Sequence, residues 1–323
     1  MNRRQVAAGA GHSSSTVGVA PGIHLIDVHH LGNPHVIAAG VLDTGAGLAI
    51  VDPGPESSLA NLLAGLEASG RHPSEVRYLL LTHIHLDHAG ATGAMVRRRP
   101  DLAVYVHQRG APHLADPTKL LASAERLYGA DLQGLWGEVV PVPPANLRPL
   151  EGGERLALGD VTLEVAYTPG HAWHHVSYLH ASTGTAFVGD VAGIHISGRD
   201  YLFPPTPPPD IDLESWGASL DRIAAWRAER LFLTHFGPSA AVEPHLAEMR
   251  ERLIAWGERV RASLAEPGDD ASRAAAFIQQ VGEELRRRLP PEEALRFKQG
   301  AGLKFCWYGL ARYWRKRAAP SNA

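Results

Sequence analysis

The sequence predicts an α/β protein in which two sheets pack together and helices cover the outside. Short apolar runs, typical of buried strands, alternate with longer stretches that carry a helical stripe of leucine. Turn-forming segments such as residues 43–47 separate neighbouring runs and indicate antiparallel hairpins. After Pro238 the pattern becomes helical throughout, which predicts a C-terminal helical extension.

The first part of the chain predicts a leader and then hairpin strands. Residues 1–20 are rich in Gly, Ala and Ser without periodicity, and we expect them to be disordered. A leucine stripe that closes at Gly70 indicates a helix. The predicted strands are residues 22–27, 35–42, 48–51 and 78–81, and the predicted helix is residues 56–69.

The middle of the chain continues this alternation. A proline-rich run at residues 203–209 predicts stiff, extended backbone inside a loop that covers residues 193–209. The predicted helices are residues 89–98, an irregular 112–129, and 212–227. The predicted strands are residues 102–106, 139–142, 162–166, 176–179, 186–188 and 231–233.

The C-terminal part predicts three helices, at residues 242–264, 271–288 and 291–317. The last is strongly apolar, so we expect a helical cap that docks on the sandwich or on a partner subunit, which allows a homodimer. A cap that contacts a molecule bound to the sandwich is the alternative. The predicted division is a leader at 1–20, the sandwich domain at 21–240 and the cap at 241–323.

Composition excludes several classes of partner. With 31 basic and 34 acidic residues, the net charge of −3 favours neither nucleic acid nor a membrane surface, and leaves a small molecule as the expected partner. The single cysteine, Cys306, excludes an intrachain disulfide and fits a reducing compartment. No secretory signal or spanning helix is expected, so we predict a cytoplasmic protein.

One short segment is unusually rich in side chains that can bind metal ions. The run Thr82-His83-Ile84-His85-Leu86-Asp87-His88 directly follows the predicted strand 78–81. His83 and His85 can point one way, whereas Asp87 and His88 lie in the following turn and can reach a neighbouring point. This arrangement suits two metal ions about 3.5–4 Å apart.

Other ligand-type residues also stand just after strand-like runs. His171 follows Thr168-Pro169-Gly170, and Asp190 and His235 each follow an apolar run. Asp52 is a further case, for which we expect a structural role: it caps the next helix or hydrogen-bonds the ligand segment. His174 and His175 are interpreted as lining the site, orienting His171 or packing. Other histidines, including His30, His107 and His195, are interpreted as structural or surface residues.

The H-x-H-x-D-H run, followed by His, Asp and His at strand ends, resembles the metallo-β-lactamase superfamily over residues 22–240. The run from Thr168 to His175 resembles the "PGHT-x-GH" word of the glyoxalase II-like branch. The resemblance implies a four-layer αββα sandwich with the site at the sheet edges. It also implies two ions, held by His83, His85 and His171 on one side, by Asp87, His88 and His235 on the other, and bridged by Asp190.

Imidazole and carboxylate ligands suit two Zn²⁺ ions, with iron or manganese as alternatives. Water between two such ions loses its proton near neutral pH, and the bridging hydroxide would attack a small thioester, ester or lactone. Asp87 is predicted to help as a secondary acid or base.

Two other functions remain open. Some glyoxalase II-like relatives are mononuclear iron persulfide dioxygenases, which keeps an oxidoreductase as the alternative. A binding protein with a relic site is the third hypothesis, and the complete ligand set argues against it. In the loop after Asp190, the residues His195, Arg199, Tyr201 and Phe203 either grip the substrate or form an ordinary surface. Val191-Ala192-Gly193 stands where the related lactonases carry a tyrosine, which argues against a lactonase of that kind.

Overall fold

A computed structural model describes residues 16–195, 201–291, 294 and 302–319. The first sheet has seven strands in chain order: β1 (Thr16–Ala20), β2 (Ile23–Asp27), β3 (Ala38–Asp43), β4 (Leu48–Val51), β5 (Val76–Leu80), β6 (Ala103–His107) and β7 (Leu147–Leu150). Strands β1 to β4 pair antiparallel, whereas β4 to β7 pair parallel.

The second sheet has six strands, again ordered as in the chain: β8 (Arg155–Leu158), β9 (Val161–Tyr167), β10 (Val176–His180), β11 (Thr185–Phe187), β12 (Arg230–Leu233) and β13 (Gly237–Ser239). Its pairs are antiparallel except for β11 with β12.

Besides short 3-10 turns, the described residues include ten α-helices with defined bounds: α1 (Leu59–Ala68), α2 (Leu86–Ala89), α3 (Thr92–Arg98), α4 (Ala111–Ala115), α5 (Thr118–Tyr128), α6 (Leu132–Trp136), α7 (Leu213–Ala225), α8 (Val242–Ser263), α9 (Asp270–Arg288) and α10 (Leu303–Ala318). Within the described part of the chain, no helix combines the length and apolarity needed to cross a membrane.

The core has three layers of buried side chains, which confirms the predicted αββα sandwich. Between the sheets, apolar residues of β2 to β5 meet Tyr178, Phe187 and Phe232 of the second sheet. One outer layer packs α1, α3 and α4 on the first sheet, and the other packs α7 to α10 on the second. Each large apolar side chain buried in this way stabilises the fold by about 1.5–3 kcal/mol.

The C-terminal helices share one core with the second sheet. Trp256 of α8, Phe277 of α9 and Trp307 of α10 belong to the same cluster as Trp216 of α7 and Leu231 of β12. The C-terminal helices therefore pack on the sandwich, as expected from the sequence. The division into domains at residue 240 stays a prediction.

Two local predictions were wrong, and strands β7, β8 and β13 were not predicted. Residues 16–20 of the predicted leader form the edge strand β1, while residues 1–15 lie outside the described part. Residues 139–142 form no strand, because Pro141, Pro143 and Pro144 interrupt backbone donors. Strand β7 was missed because Pro149 stands inside it, a position that an edge strand tolerates. The start of the predicted helix 291–317 and Arg199 fall outside the described residues.

Candidate metal centre

The two sheets are tied together at the segment that carries the histidine run. Val176 N–H donates to the Thr82 carbonyl at 2.7 Å, and the Tyr178 hydroxyl donates to the Leu81 carbonyl at 2.8 Å. Ala38 N–H of the first sheet donates to the Thr234 carbonyl at 2.8 Å. These bonds cross from one sheet to the other, so residues that follow strands of both sheets meet at one edge of the sandwich.

Three histidines form the first group of convergent ligand atoms. His83 and His85 follow β5, and His171 lies in the turn between β9 and β10. The Nδ1 atom of His85 lies 3.0 Å from His83 Nε2 and 3.0 Å from His171 Nε2. Ligand nitrogens around a tetrahedral zinc ion, with Zn–N of about 2.0–2.1 Å, are separated by about 3.3 Å. The spacing is therefore close to that of a metal site.

The second group joins the short helix α2 to the end of β12. Asp87 and His88 lie on α2, and His235 follows β12. His235 Nε2 lies 3.2 Å from Asp87 Oδ2 and 3.2 Å from His88 Nε2. Asp190, after β11, stands between the groups: its Oδ2 is 3.4 Å from His171 Nε2, and its Oδ1 is 3.2 Å from His88 Nε2.

Hydrogen bonds on the outer ring nitrogens fix which nitrogen faces the centre. His171 Nδ1 donates to the Pro205 carbonyl at 2.8 Å, and His235 Nδ1 donates to the Val36 carbonyl at 2.7 Å. A carbonyl only accepts, so the proton of each neutral ring sits on Nδ1 and leaves a lone pair on Nε2. The Nε2 atoms therefore converge as acceptors.

Asp52 fixes two further rings, those of His88 and His83. His88 Nδ1 donates to Asp52 Oδ2 at 2.8 Å. The Thr82 hydroxyl also donates to Asp52, at 2.7 Å, so its oxygen is left to accept from His83 Nδ1 at 3.1 Å. Thr82 N–H and the Thr234 hydroxyl complete the set around this fully buried carboxylate. Of its two expected structural roles, Asp52 takes the one of hydrogen-bonding the ligand segment.

The donor set fits a divalent cation. Within each of three overlapping groups, the imidazole nitrogens and carboxylate oxygens lie within 4.8 Å of one another: His83, His85 and His171; His83, His88 and Asp190; Asp87, His88 and His235. Asp190 Oδ1 is buried without a hydrogen-bond partner among the described residues. Lone pairs gathered in this way repel one another unless positive charge lies between them, which is what a metal ion supplies.

Comparison with known proteins decides the family. Residues 32–235 match the family model described as the metallo-beta-lactamase superfamily. The chain belongs to this superfamily. It is 28% identical over 234 residues to the metallo-beta-lactamase fold-containing protein ST1585 of Sulfurisphaera tokodaii, a match that covers 71% of this chain and 84% of that protein.

The chain is also similar to a named enzyme in sequence and to a solved structure in fold. It is 30% identical over 213 residues to a hydroxyacylglutathione hydrolase of Pseudomonas aeruginosa, covering 63% of this chain and 65% of the length of that enzyme. The structure of the metallo-beta-lactamase family protein TTHA1429 from Thermus thermophilus matches with a TM-score of 0.69 at 23% identity, covering 93% and 95% of the two chains. At that identity the match shows the fold alone.

Burial and neighbouring charges set the protonation of the candidate ligands. It lowers the pKa of His171 to about 4 and lowers the pKa of His83 and His85, so these rings are neutral, the form that binds metals. Burial opposes charge on His88 as well, yet the carboxylates of Asp190 and Asp52 raise its pKa. The second group therefore favours a positive charge beside its carboxylates.

Access to the centre is narrow. The side chains of His83, His88, His171, Asp190 and His235 are at most 6% exposed, whereas Asp87 is 26% exposed and His85 is partly exposed. A ligand therefore reaches the centre on the side of His85 and Asp87, in the part of the chain that the structure describes.

Several predicted or unassigned residues take packing roles. Tyr201 and Phe203 are buried against the cap, where Arg252 lies 4.1 Å above the Tyr201 ring. They do not form the exposed grip considered from the sequence. His195 lies beside the ring of His245. His175 Nδ1 bonds the Thr168 hydroxyl, and His174 lies 5.6 Å from the His85 ring and so borders the site.

Sequence reasoning missed a group of rings beside Asp87. His30, assigned to structure or surface, stacks on Trp136 at 5.2 Å, and Tyr128 lies 5.4 Å from Trp136. Nothing in the local pattern could have joined them, because His30 lies about 100 residues before Tyr128 and Trp136.

Proposed function

We propose that this chain is a dinuclear metallo-hydrolase that cleaves a small thioester, ester or lactone. The observation that carries the proposal is the convergence of seven ligand-type side chains, four of which are imidazoles whose outer nitrogens are already hydrogen-bonded. His83, His85 and His171 would hold one ion, and Asp87, His88 and His235 the other, with Asp190 shared between them. Zinc suits this nitrogen and oxygen donor set, with iron or manganese as alternatives.

Two divalent ions held there would supply Lewis acidity that acidifies water and polarises the carbonyl of the substrate. The chain's own residues orient the groups that would hold these ions. The carbonyls of Pro205 and Val36 and the carboxylate of Asp52 hold the rings of His171, His235 and His88, respectively, in one tautomer and one orientation. Such preorganisation spares the reaction the cost of reorienting dipoles as charge develops.

Asp87 has a second proposed role. Burial acts to raise its pKa, but the neighbouring His88 and the hydrogen bond with His235 outweigh burial and hold the pKa below its usual value. The carboxylate is therefore ionised, and it is the most exposed acid of the centre. We assign it to accept and pass on a proton at the open side of the site.

Among the three substrate classes, we favour thioesters. A relative at 30% identity carries the name hydroxyacylglutathione hydrolase, although this chain spans only 65% of its length. The net charge of −3 argues against polyanionic substrates. A small uncharged or weakly charged acyl compound fits both observations.

Metal analysis and a substrate panel test the proposal together. We expect about two zinc ions per chain by mass spectrometry and hydrolysis of at least one thioester, ester or lactone. His85→Ala and Asp190→Ala should each lose metal and at least 100-fold in kcat/KM, whereas the exposed control Asp101→Asn should keep both. One iron per chain with oxygen uptake would instead support the dioxygenase alternative, and turnover that survives both substitutions would place the activity elsewhere.

A further inference from the structure

Four rings form a continuous surface beside the centre, which we call the aromatic wall: His30, Trp136, Tyr128 and Phe305. His30 and Trp136 stack with centroids 5.2 Å apart and planes 7° apart. Tyr128 meets Trp136 edge to face at 5.4 Å and Phe305 at 5.6 Å. Apart from His30, the rings are only partly buried, so they leave surface for a ligand.

The aromatic wall is fixed to the ligand segment by a chain of hydrogen bonds. Gly54 N–H donates to the His88 carbonyl at 3.0 Å, and Ala91 N–H donates to the Gly54 carbonyl at 2.9 Å. Three residues further on, the Ser57 hydroxyl donates to the Leu135 carbonyl at 2.7 Å, next to Trp136. The position of Trp136 is therefore set relative to His88 without a long flexible link.

The wall stands at the open side of the centre. The carboxylate of Asp87, the most exposed acid of the centre, acts on His30 at one end of the wall and on Tyr128 within it. It adds to the effect of burial in raising the pKa of Tyr128, and it opposes the effect of burial on the pKa of His30. Asp190 also raises the pKa of Tyr128, so its hydroxyl stays protonated beside the carboxylates.

The wall also holds an unpaired donor. Trp136 Nε1 is buried and has no hydrogen-bond partner among the described residues. A buried N–H group without an acceptor is costly, and a ligand oxygen that reached it would remove that cost. A flat aromatic ring would also bind favourably beside these rings, because an aromatic pair gains binding free energy in addition to that from the area it buries.

We propose that the aromatic wall is the acyl-group subsite of the hydrolase, and that its substrate is a thioester or ester of an aromatic or conjugated planar carboxylic acid. This rests on the proposed function and narrows its substrate class. Phe305 comes from α10, so the C-terminal helices contribute to this subsite as well as to the core.

The test compares two acids with the same carbon skeleton, one with a flat aromatic ring and one with a saturated ring. Benzoate and cyclohexanecarboxylate have the same carbon count and charge, so any attraction of the carboxylate to the centre is shared. By isothermal titration of the full chain, we expect a Kd about three to ten times lower for benzoate. Trp136→Leu should bring that ratio close to one and leave the cyclohexanecarboxylate affinity within twofold.

Two further variants separate the ring from other effects. Tyr128→Phe keeps the ring and should keep the ratio, whereas Trp226→Leu makes the same change outside the wall and should also keep it. Equal affinities in the unmodified protein, no binding of either acid, or a ratio unchanged by Trp136→Leu would each overturn the subsite.

Hydrolysis distinguishes this inference from the function on which it rests. The benzoyl and cyclohexanecarbonyl thioesters of N-acetylcysteamine should differ in kcat/KM in the same direction as the two acids. If neither thioester is cleaved but the benzoate preference disappears in Trp136→Leu, the subsite stands and the reaction fails. If both are cleaved equally and the acids bind equally, the reaction stands and the subsite fails.

Discussion

At the residue scale, Asp52 organises the centre without belonging to its ligand set. It lies at the end of β4 with φ of 49°, and it accepts hydrogen bonds from His88, Thr82 and Thr234. One carboxylate therefore sets the direction of the His88 ring, and through the Thr82 hydroxyl that of the His83 ring.

Asp52→Asn should weaken metal binding. The amide keeps the shape but brings an N–H₂ group among groups that already donate, so the His88 ring loses its acceptor or its orientation. Outer partners of this kind typically contribute about 10–100-fold to metal affinity. Competition with a chelating dye measures the change, and Asp101→Asn, an exposed carboxylate, is the control. Unchanged affinity in Asp52→Asn would contradict this role.

His107, which is not part of the metal centre, is expected to make the stability of the fold depend on pH. Burial lowers its pKa to about 4, with help from Arg109, and Arg109 N–H donates to its Nδ1 at 3.3 Å. Above pH 6.5 the ring is neutral in both the folded and the unfolded chain. Between pH 6.5 and 4 only the unfolded chain takes up the proton, so stability falls as the pH falls.

We therefore expect His107→Gln to flatten this fall. The free energy of unfolding should depend less steeply on pH between 6.5 and 4, by up to about 1.4 kcal/mol per pH unit. Urea unfolding of the metal-free protein at several pH values measures it. The substitution can lower stability overall, so the comparison is of slopes; equal slopes would refute the assignment.

At the scale of elements, α10 is coupled to the centre through the proline-rich segment. The Thr206 hydroxyl donates to the Cys306 carbonyl at 3.3 Å, and the adjacent Pro205 carbonyl accepts from His171. Gly309 lets the helix approach this closely, because a Cβ there would stand 2.0 Å from the Thr206 oxygen.

Gly309→Ala should disturb the centre from a distance. The added methyl would push the segment 205–207 away from α10 and shift the acceptor of His171. We expect a loss of about 1–3 kcal/mol in stability, measured by urea unfolding, and weaker metal binding. Gly134→Ala, also in a helix but with open space around the position, is the matched control. Equal effects of the two substitutions would show that α10 is not coupled to His171.

Elements also show where sequence patterns were sufficient. The convergence of the candidate ligand residues was predictable because each follows a strand-like segment, and strand ends of the two sheets meet at one edge. Strand β1 was not, because Thr16–Ala20 is short, contains Gly18 and pairs on one side only. The run at residues 139–142 has the β-branched composition of a strand. The prolines within and after it lack the backbone N–H groups that strand pairing needs.

At the scale of the whole molecule, the sandwich brings together residues that no local pattern connects. His83 and His235 are about 150 positions apart, and they meet because β5 and β12 end at the same edge of the two packed sheets. The candidate ligand set could be predicted from the sequence because its spacing resembles a known family. The aromatic wall could not, because His30, Tyr128 and Phe305 come from three separate segments of the chain.

The central claim is that seven side chains at this edge hold two cations. A crystal of the purified protein, with diffraction recorded on both sides of the zinc absorption edge, tests it most directly. We predict two anomalous peaks about 3.5–4 Å apart, one beside His83, His85 and His171 and the other beside Asp87, His88 and His235, with Asp190 touching both. No peak at this edge of the sandwich, with the histidines turned apart, would contradict the account.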